Sequence, residues 1–182
     1  MQSKSIKRRL LIADTLNQLL STKELDNITV LELCGLSGVP RASFYRYFYN
    51  IREIAVWLFE YLLEKSITPQ SIQSGWAVAQ EAFYTELLRW KTLFLSFFGL
   101  QGYDSVFAYA ARRSVENFTS SSTIRLGREI TDKEKTIISY HGYVQASLTA
   151  KWVQDGMTIP PHEMAQIMVQ FLPPIMKEYT GS

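Results

Sequence analysis

With 182 residues, 47% of them hydrophobic, the chain carries enough apolar material to bury a core, which excludes wholesale disorder. Nineteen Lys or Arg against 17 Asp or Glu give a net charge of only +2, so bulk charge does not mark a nucleic-acid binder and the placement of the charges has to be read instead. No apolar run reaches the ~18 residues of a membrane span. The opening MQSKSIKRR is not followed by a cleavable signal pattern, and a single cysteine excludes an internal disulfide, so the expectation is a cytoplasmic protein with no membrane association.

The first helix is expected from Lys4 to Ser21, where Ile12, Ala13, Leu16, Leu19 and Leu20 recur at helical spacing while Asp14, Asn17 and Gln18 face away. Its start is acid-free and basic, with Lys4, Lys7, Arg8 and Arg9 placed to straddle a phosphate backbone. From Ile28 to Phe48 two short apolar-periodic runs flank Ser37-Gly38-Val39-Pro40, the pattern of a helix-turn-helix. Thr29 precedes Glu32 by three residues, a capping box. Gly38 suits the left-handed stop of the first of these helices and Pro40 the start of the second. Leu33, Leu36, Val39, Phe44 and Phe48 are the expected apolar face.

Outward, the second helix is expected to present Arg41, Ala42, Ser43, Tyr45, Arg46 and Tyr47, and no Asp or Glu occurs from Leu33 to Arg52. Such a helix can enter the major groove, where arginine pairs with guanine and hydroxyls reach phosphates or base edges. The candidate DNA contacts are therefore Thr29, Arg41, Ala42, Ser43, Tyr45, Arg46, Tyr47 and Arg52, with Lys4, Lys7 and Arg8 on the backbone. Tyr45 also admits a second reading, as a buried aromatic with its hydroxyl capped.

A fourth helix, Arg52 to Lys65, is long enough to link two bodies, and the polar stretch Ser66 to Gly75 is the expected boundary. That divides the chain into a DNA-binding domain at 1–50, with the linking helix to about 65, and a C-terminal domain at 66–182. Beyond Ser66 acids and bases balance. Helices are expected at Trp76–Trp90 and Asp104–Asn117, with a short apolar segment at Thr92–Gly99 and an exposed loop at Thr119–Thr123. Thr131-Asp132 opens a long helix that Gly156 closes, and Pro160-Pro161 starts a last helix that Pro173-Pro174 must kink or end. No β pattern emerges, so the fold class is all-α: a three-helix helix-turn-helix domain followed by a helical bundle for effector binding and dimerisation.

In that bundle Trp76, Phe83, Trp90, Phe94, Phe98, Phe107 and Tyr140 either line a ligand pocket or make simple core. Gly142, Ala146 and Ala150 lie four apart, and with Ile167, Met168 and Phe171 they form the candidate face of a two-fold, four-helix dimer interface, the other reading being packing within the chain. Catalysis or metal binding would need convergent nucleophiles or ligands. His141 and His162 fall on different helices without a ligand-spaced partner, so no catalytic residue, metal or cofactor is expected and the chain reads as a non-enzyme. His141 is expected to be a hydrogen-bonded packing residue, and Cys34 a small core residue.

The segment ITVLELCGLSGVPRASFYRYFYNIREI resembles the DNA-binding segment of the TetR family of one-component transcriptional regulators, through Thr29-Val30, Leu33, Gly38-Val39, Ser43, Tyr45, Phe48 and Ile54. The wording is further similar to the Firmicutes branch that includes regulators of dihydroxyacetone kinase operons, and Trp152 to Met168 resembles the end of that branch's C-terminal domain. The chain departs from the family pattern at Pro40, Ile51 and Cys34; Ile51 removes one expected phosphate contact, and the sequence leaves open whether Arg52 replaces it. The resemblance implies a homodimer that grips a double-stranded operator, with Tyr45 and Tyr47 at phosphates, Arg41 and Ser43 at bases, and a small-molecule effector in the bundle. It implies repression as the commoner output. A co-regulator whose bundle binds a protein partner, and an all-α interaction module that never touches DNA, are the alternative readings.

Overall fold

The computed structural model describes residues 3–67, 74–99, 105–174 and 176–177, apart from the side chains of residues 121 and 124–126. Among the described residues the chain is all helical: α1 Lys4–Leu19, α2 Val30–Ser37, α3 Arg41–Tyr47, α4 Arg52–Ser66, α5 Trp76–Arg89, α6 Lys91–Phe97, α7 Val106–Leu126, α8 Asp132–Gln154 and α9 Pro161–Gln170, with a 3-10 turn at Leu25–Asn27. Most of the boundary expected at 66–75, and Asp104, fall outside the described residues.

Local chemistry sets several of the helix ends. Ser3, Thr29, Ser105 and Thr131 each accept a backbone N–H of the first turn, so α1, α2, α7 and α8 open on a side-chain cap. Gly38 stops α2 at φ +65, a conformation that a Cβ would strain. Only half of the expected box at Thr29 forms: Glu32 donates its N–H to the Thr29 hydroxyl, but its carboxylate pairs with Lys23. A full box forms at Thr131 and Glu134, where Arg128 clamps the same carboxylate. Pro40 is the residue before α3 and not its first residue, and its carbonyl accepts from Ser43 and Phe44.

One expectation about elements fails. Thr119–Thr123 is not a loop, because α7 runs through it to Leu126; Phe118 and Ser122 are buried there, and tertiary contact overrides the weak helix propensity of Ser and Thr. The last helix ends at Gln170, before the Pro173-Pro174 pair, and a fresh helical turn follows Pro173.

One apolar core runs from Ile12 in α1 to Met168 in α9, so the two expected domains share it. Helix α4 is the common wall. It packs on α1 at one side and on α5, α6 and α7 at the other. Phe59 of α4 carries the junction, with its ring edge-on to Phe83, Phe94, Phe98 and Tyr109 at centroid distances of 5.3 to 6.3 Å. Asn17 adds a polar tie: it does not face away from the body, and its Oδ1 accepts the Leu93 N–H at 3.0 Å. A second, smaller cluster of Phe118, Ile130, Ile138, Leu172 and Met176 fills the end of the bundle between α7, α8 and the turn after Pro173.

The helix α8 pairs most closely with α7. An ideal Cβ on Gly142 would lie 2.5 Å from Val115 Cγ2 and 3.2 Å from the Ala111 carbonyl, so the two backbones nearly touch there. This corrects the expected dimer interface: Gly142, Ala146 and Ala150 are buried against the same chain and have no face left for a second copy. Met168 is likewise buried in the packing of α9. Ile167 is half-buried, and of that group Phe171 alone, 53% exposed, points outward.

Candidate nucleic-acid interface

The helix-turn-helix is held from beneath by Leu33, Val39, Phe44 and Phe48, all buried. Deleting a fully buried phenylalanine such as Phe44 typically costs ~3–5 kcal/mol, so this floor is a strong anchor for so short a unit. Leu36, expected in the same floor, is 64% exposed.

With Phe44 and Phe48 turned in, α3 presents Arg41, Ala42, Tyr45 and Arg46 to solvent. Arg41 bends along the helix, its Nη2 3.4 Å from the Tyr45 hydroxyl and its guanidinium 5.5 Å from the centre of that ring. The reading of Tyr45 as a buried aromatic fails, since it is 49% exposed. Ser43 is the exception among the candidates. It is 7% exposed and its hydroxyl accepts from Arg46 Nη2 at 2.9 Å, so it holds a neighbouring guanidinium. Tyr47 is half-buried, and a hydrogen bond from Arg8, with Arg46 and Arg9 nearby, holds its phenol below the usual tyrosine range.

Around α3 the other candidates divide by role. Lys4, Lys7 and Arg52 are exposed, and Arg8 is half-buried beside Tyr47. Thr29 is exposed but spends its hydroxyl on the α2 cap. Arg52 opens α4 next to Asn50, whose side chain accepts the Arg52 and Glu53 N–H groups while the Glu53 carboxylate accepts from Tyr49. That clasp was legible as Asn50 three residues before Glu53, the capping-box spacing, and places Tyr49, 81% exposed, at the rim of the same surface.

Sequence reasoning noted Arg9 as one of a basic group but missed what it does. Its guanidinium carbon lies 5.4 Å from the Tyr47 ring centre, 6.0 Å from Phe48 and 5.5 Å from Trp57, and Trp57 stacks on Tyr61 at 5.5 Å. One cation thus joins α1, the end of α3 and α4.

The aromatic residues expected to line an effector pocket are spread over several packing environments. Phe83, Phe94 and Phe98 are the packing around Phe59; Trp90 and Phe107 flank the main core; Tyr140 is 72% exposed on the outer side of α8; Trp76 packs apart from them, on Phe118. Phe83, Phe94 and Phe98 are core side chains. His141 is buried, as expected of a packing residue, yet its Nε2 has no partner, and burial pushes its pKa down to about 4. Cys34 is a buried thiol on α2.

Among solved structures, this fold matches that of the dihydroxyacetone kinase operon activator DhaS, at a TM-score of 0.69 and 17% identity, covering 96% of this chain and 97% of that one. It also matches a TetR-family transcriptional regulator from Streptomyces coelicolor, at a TM-score of 0.54 and 14% identity, covering all of this chain and 84% of that one. No protein-family model and no curated protein matches the sequence. At such identities the likeness establishes the fold, which is that of TetR-family regulators.

Proposed function

We propose that the chain is a sequence-specific DNA-binding transcriptional regulator that works as a homodimer, inserting α3 into the major groove under the control of a small molecule bound in the helical bundle. The observation that carries this is the outer face of α3: Arg41, Ala42, Tyr45 and Arg46 are exposed on a helix whose inner face is buried, and the segment from Leu33 to Arg52 holds no carboxylate. Exposed Lys4, Lys7 and Arg52 flank that face with further positive charge suited to phosphates.

Seven residues of helix make few base contacts, so two copies are needed to read two half-sites about one helical turn apart. Helix α4 transmits the signal, since it begins beside α3 and packs on α5, α6 and α7. A ligand that shifts those helices changes the separation of the two recognition helices, and one spacing docks while another forfeits a half-site. The output is read as repression, released when the bundle is occupied. Activation is the second reading, favoured by one neighbour of this fold being an operon activator.

The test is an anisotropy titration against genomic DNA fragments at several salt concentrations. Binding is expected to weaken linearly in log salt. Arg41→Ala is expected to cost ~1–3 kcal/mol and relax sequence preference, whereas Lys7→Ala weakens all sequences alike and lowers the salt slope by about 1. If neither change alters binding, the recognition surface is misassigned.

A further inference from the structure

A cleft of about 300 Å³ lies where α4, α7 and the end of the recognition unit come together. That is the lower end of what small-molecule sites occupy. Tyr47 and Phe48 enter it from the recognition unit, Tyr109 and Arg112 from α7, and Glu53, Trp57 and Glu60 from successive turns of α4. Three elements distant in sequence thus line one space.

The lining is apolar except for its charges, and those do not balance. Four rings, of Tyr47, Phe48, Trp57 and Tyr109, stand with two carboxylates and one guanidinium. Burial, and then the Glu60 carboxylate beside it, raise the Tyr109 pKa above the usual tyrosine range, so that phenol stays neutral and adds nothing to the count. Among the described residues the ion pairs of α4 are those of Glu64 and Lys65, which leave Glu53 and Glu60 out. Glu53 spends its carboxylate on the Tyr49 N–H; Glu60 is half-buried beside Tyr109.

A carboxylate drawn partly out of water beside rings is costly unless a positive charge meets it. The lining has one negative charge over, so a guest with a single positive charge neutralises it and an anion doubles the mismatch. Aromatic walls also favour a cation over a neutral body of the same shape. We propose that this cleft is the effector site, and that its ligand is a small organic cation, an amine or amidine on an apolar body, with its charge at Glu60.

This deepens the reading of the chain as an effector-controlled regulator and rests on it. The coupling is short. Tyr47, Phe48 and Trp57 are also the rings on which the Arg9 guanidinium rests, at 5.4 to 6.0 Å, so they fix α1 to α3 and α4. A second cation against the same rings competes with Arg9 for them and shifts the basic start of α1 relative to α3.

The chain has four tryptophans, and the indole N–H resonance of Trp57 is identified by its loss in Trp57→Phe. Trp152, buried in the core, is the internal reference. The full-length protein without DNA is titrated at neutral pH with benzylamine and benzamidine as cations, benzyl alcohol as the neutral counterpart and benzoate as the anion. The expected result is a saturable shift of Trp57, with Trp152 unmoved, from at least one cation, and a weaker response or none from the other two probes. Glu60→Gln is expected to melt no lower than wild type and to weaken that binding by about tenfold or more. Glu24→Gln, an exposed change of the same charge elsewhere, is expected to leave it intact. Cations that leave Trp57 unmoved overturn the proposal, as do benzoate or benzyl alcohol binding as tightly as the cations, or Glu60→Gln responding like wild type. The wild-type titration decides by itself should a variant not fold. DNA affinity measured on the same samples without probe stands apart, so failure of the site and failure of the DNA-binding reading are told from each other.

Discussion

Arg9 of α1 holds its guanidinium 5.5 Å from the ring of Trp57 in α4, with Tyr47 and Phe48 closing the other sides of the charge. Cation–π contact is worth ~0.5–2 kcal/mol according to how dry the site is, and here it also ties the basic start of α1 to the recognition unit. Arg9→Ala is expected to lower stability by about 1–2 kcal/mol in urea unfolding. It is expected to weaken DNA binding as well, although Arg9 is packed against the three rings. Loss of stability with intact affinity would restrict its role to packing.

Ser43 and Arg46 make a dependent pair on α3, because the buried hydroxyl accepts from the exposed guanidinium at 2.9 Å. Ser43→Ala is expected to weaken operator binding by less than Arg46→Ala does, and to have no further effect in the Arg46→Ala background. That double-mutant cycle isolates the aiming of Arg46 from any direct contact by Ser43. Additive losses would mean that Ser43 reaches the DNA on its own.

Gly142→Ala drives a methyl group toward Val115 and toward the backbone oxygen of Ala111, 3.2 Å away, and backbone cannot step aside as a side-chain tip can. Overpacking of this kind costs ~1–3 kcal/mol. The urea midpoint is expected to fall equally when both proteins are compared at low and at high concentration. A loss that grew on dilution would place the glycine between two copies instead.

Acid should destabilise the chain in two stages. The His141 imidazole is held neutral by burial, its pKa down from 6.5 to about 4, so the unfolded chain takes up a proton first and stability falls as pH drops from 6.5 toward 4. Glu134, tied to Arg128 and Thr131, titrates at about 2 against an ordinary 4.5; its contribution is complete above pH 4.5 and is lost as pH falls toward 2. Urea midpoints followed against pH are expected to lose the upper stage in His141→Phe and the lower one in Glu134→Gln.

What the sequence determined by itself is whatever neighbours in the chain decide. Thr29, Gly38 and Pro40 act on backbone groups within four residues of themselves, so the helix-turn-helix and its acid-free outer face were readable at once, as was the opening of α8 at Thr131-Asp132. Only the tertiary structure decided the rest. A four-residue spacing of Gly142, Ala146 and Ala150 says that some helix comes close but not which one, and α7 of the same chain took the place expected of a second copy. Rings at helical spacing say that a face is apolar, yet the packing of Phe83, Phe94 and Phe98 around one ring depended on Phe59, two dozen residues or more from any of the three. The Thr119–Thr123 segment, polar enough for a loop, became helix once Phe118 and Ser122 were buried against distant chain. The three rings around Arg9 come from separate elements, and pairing of that kind is set by packing over the whole fold, which no local pattern encodes.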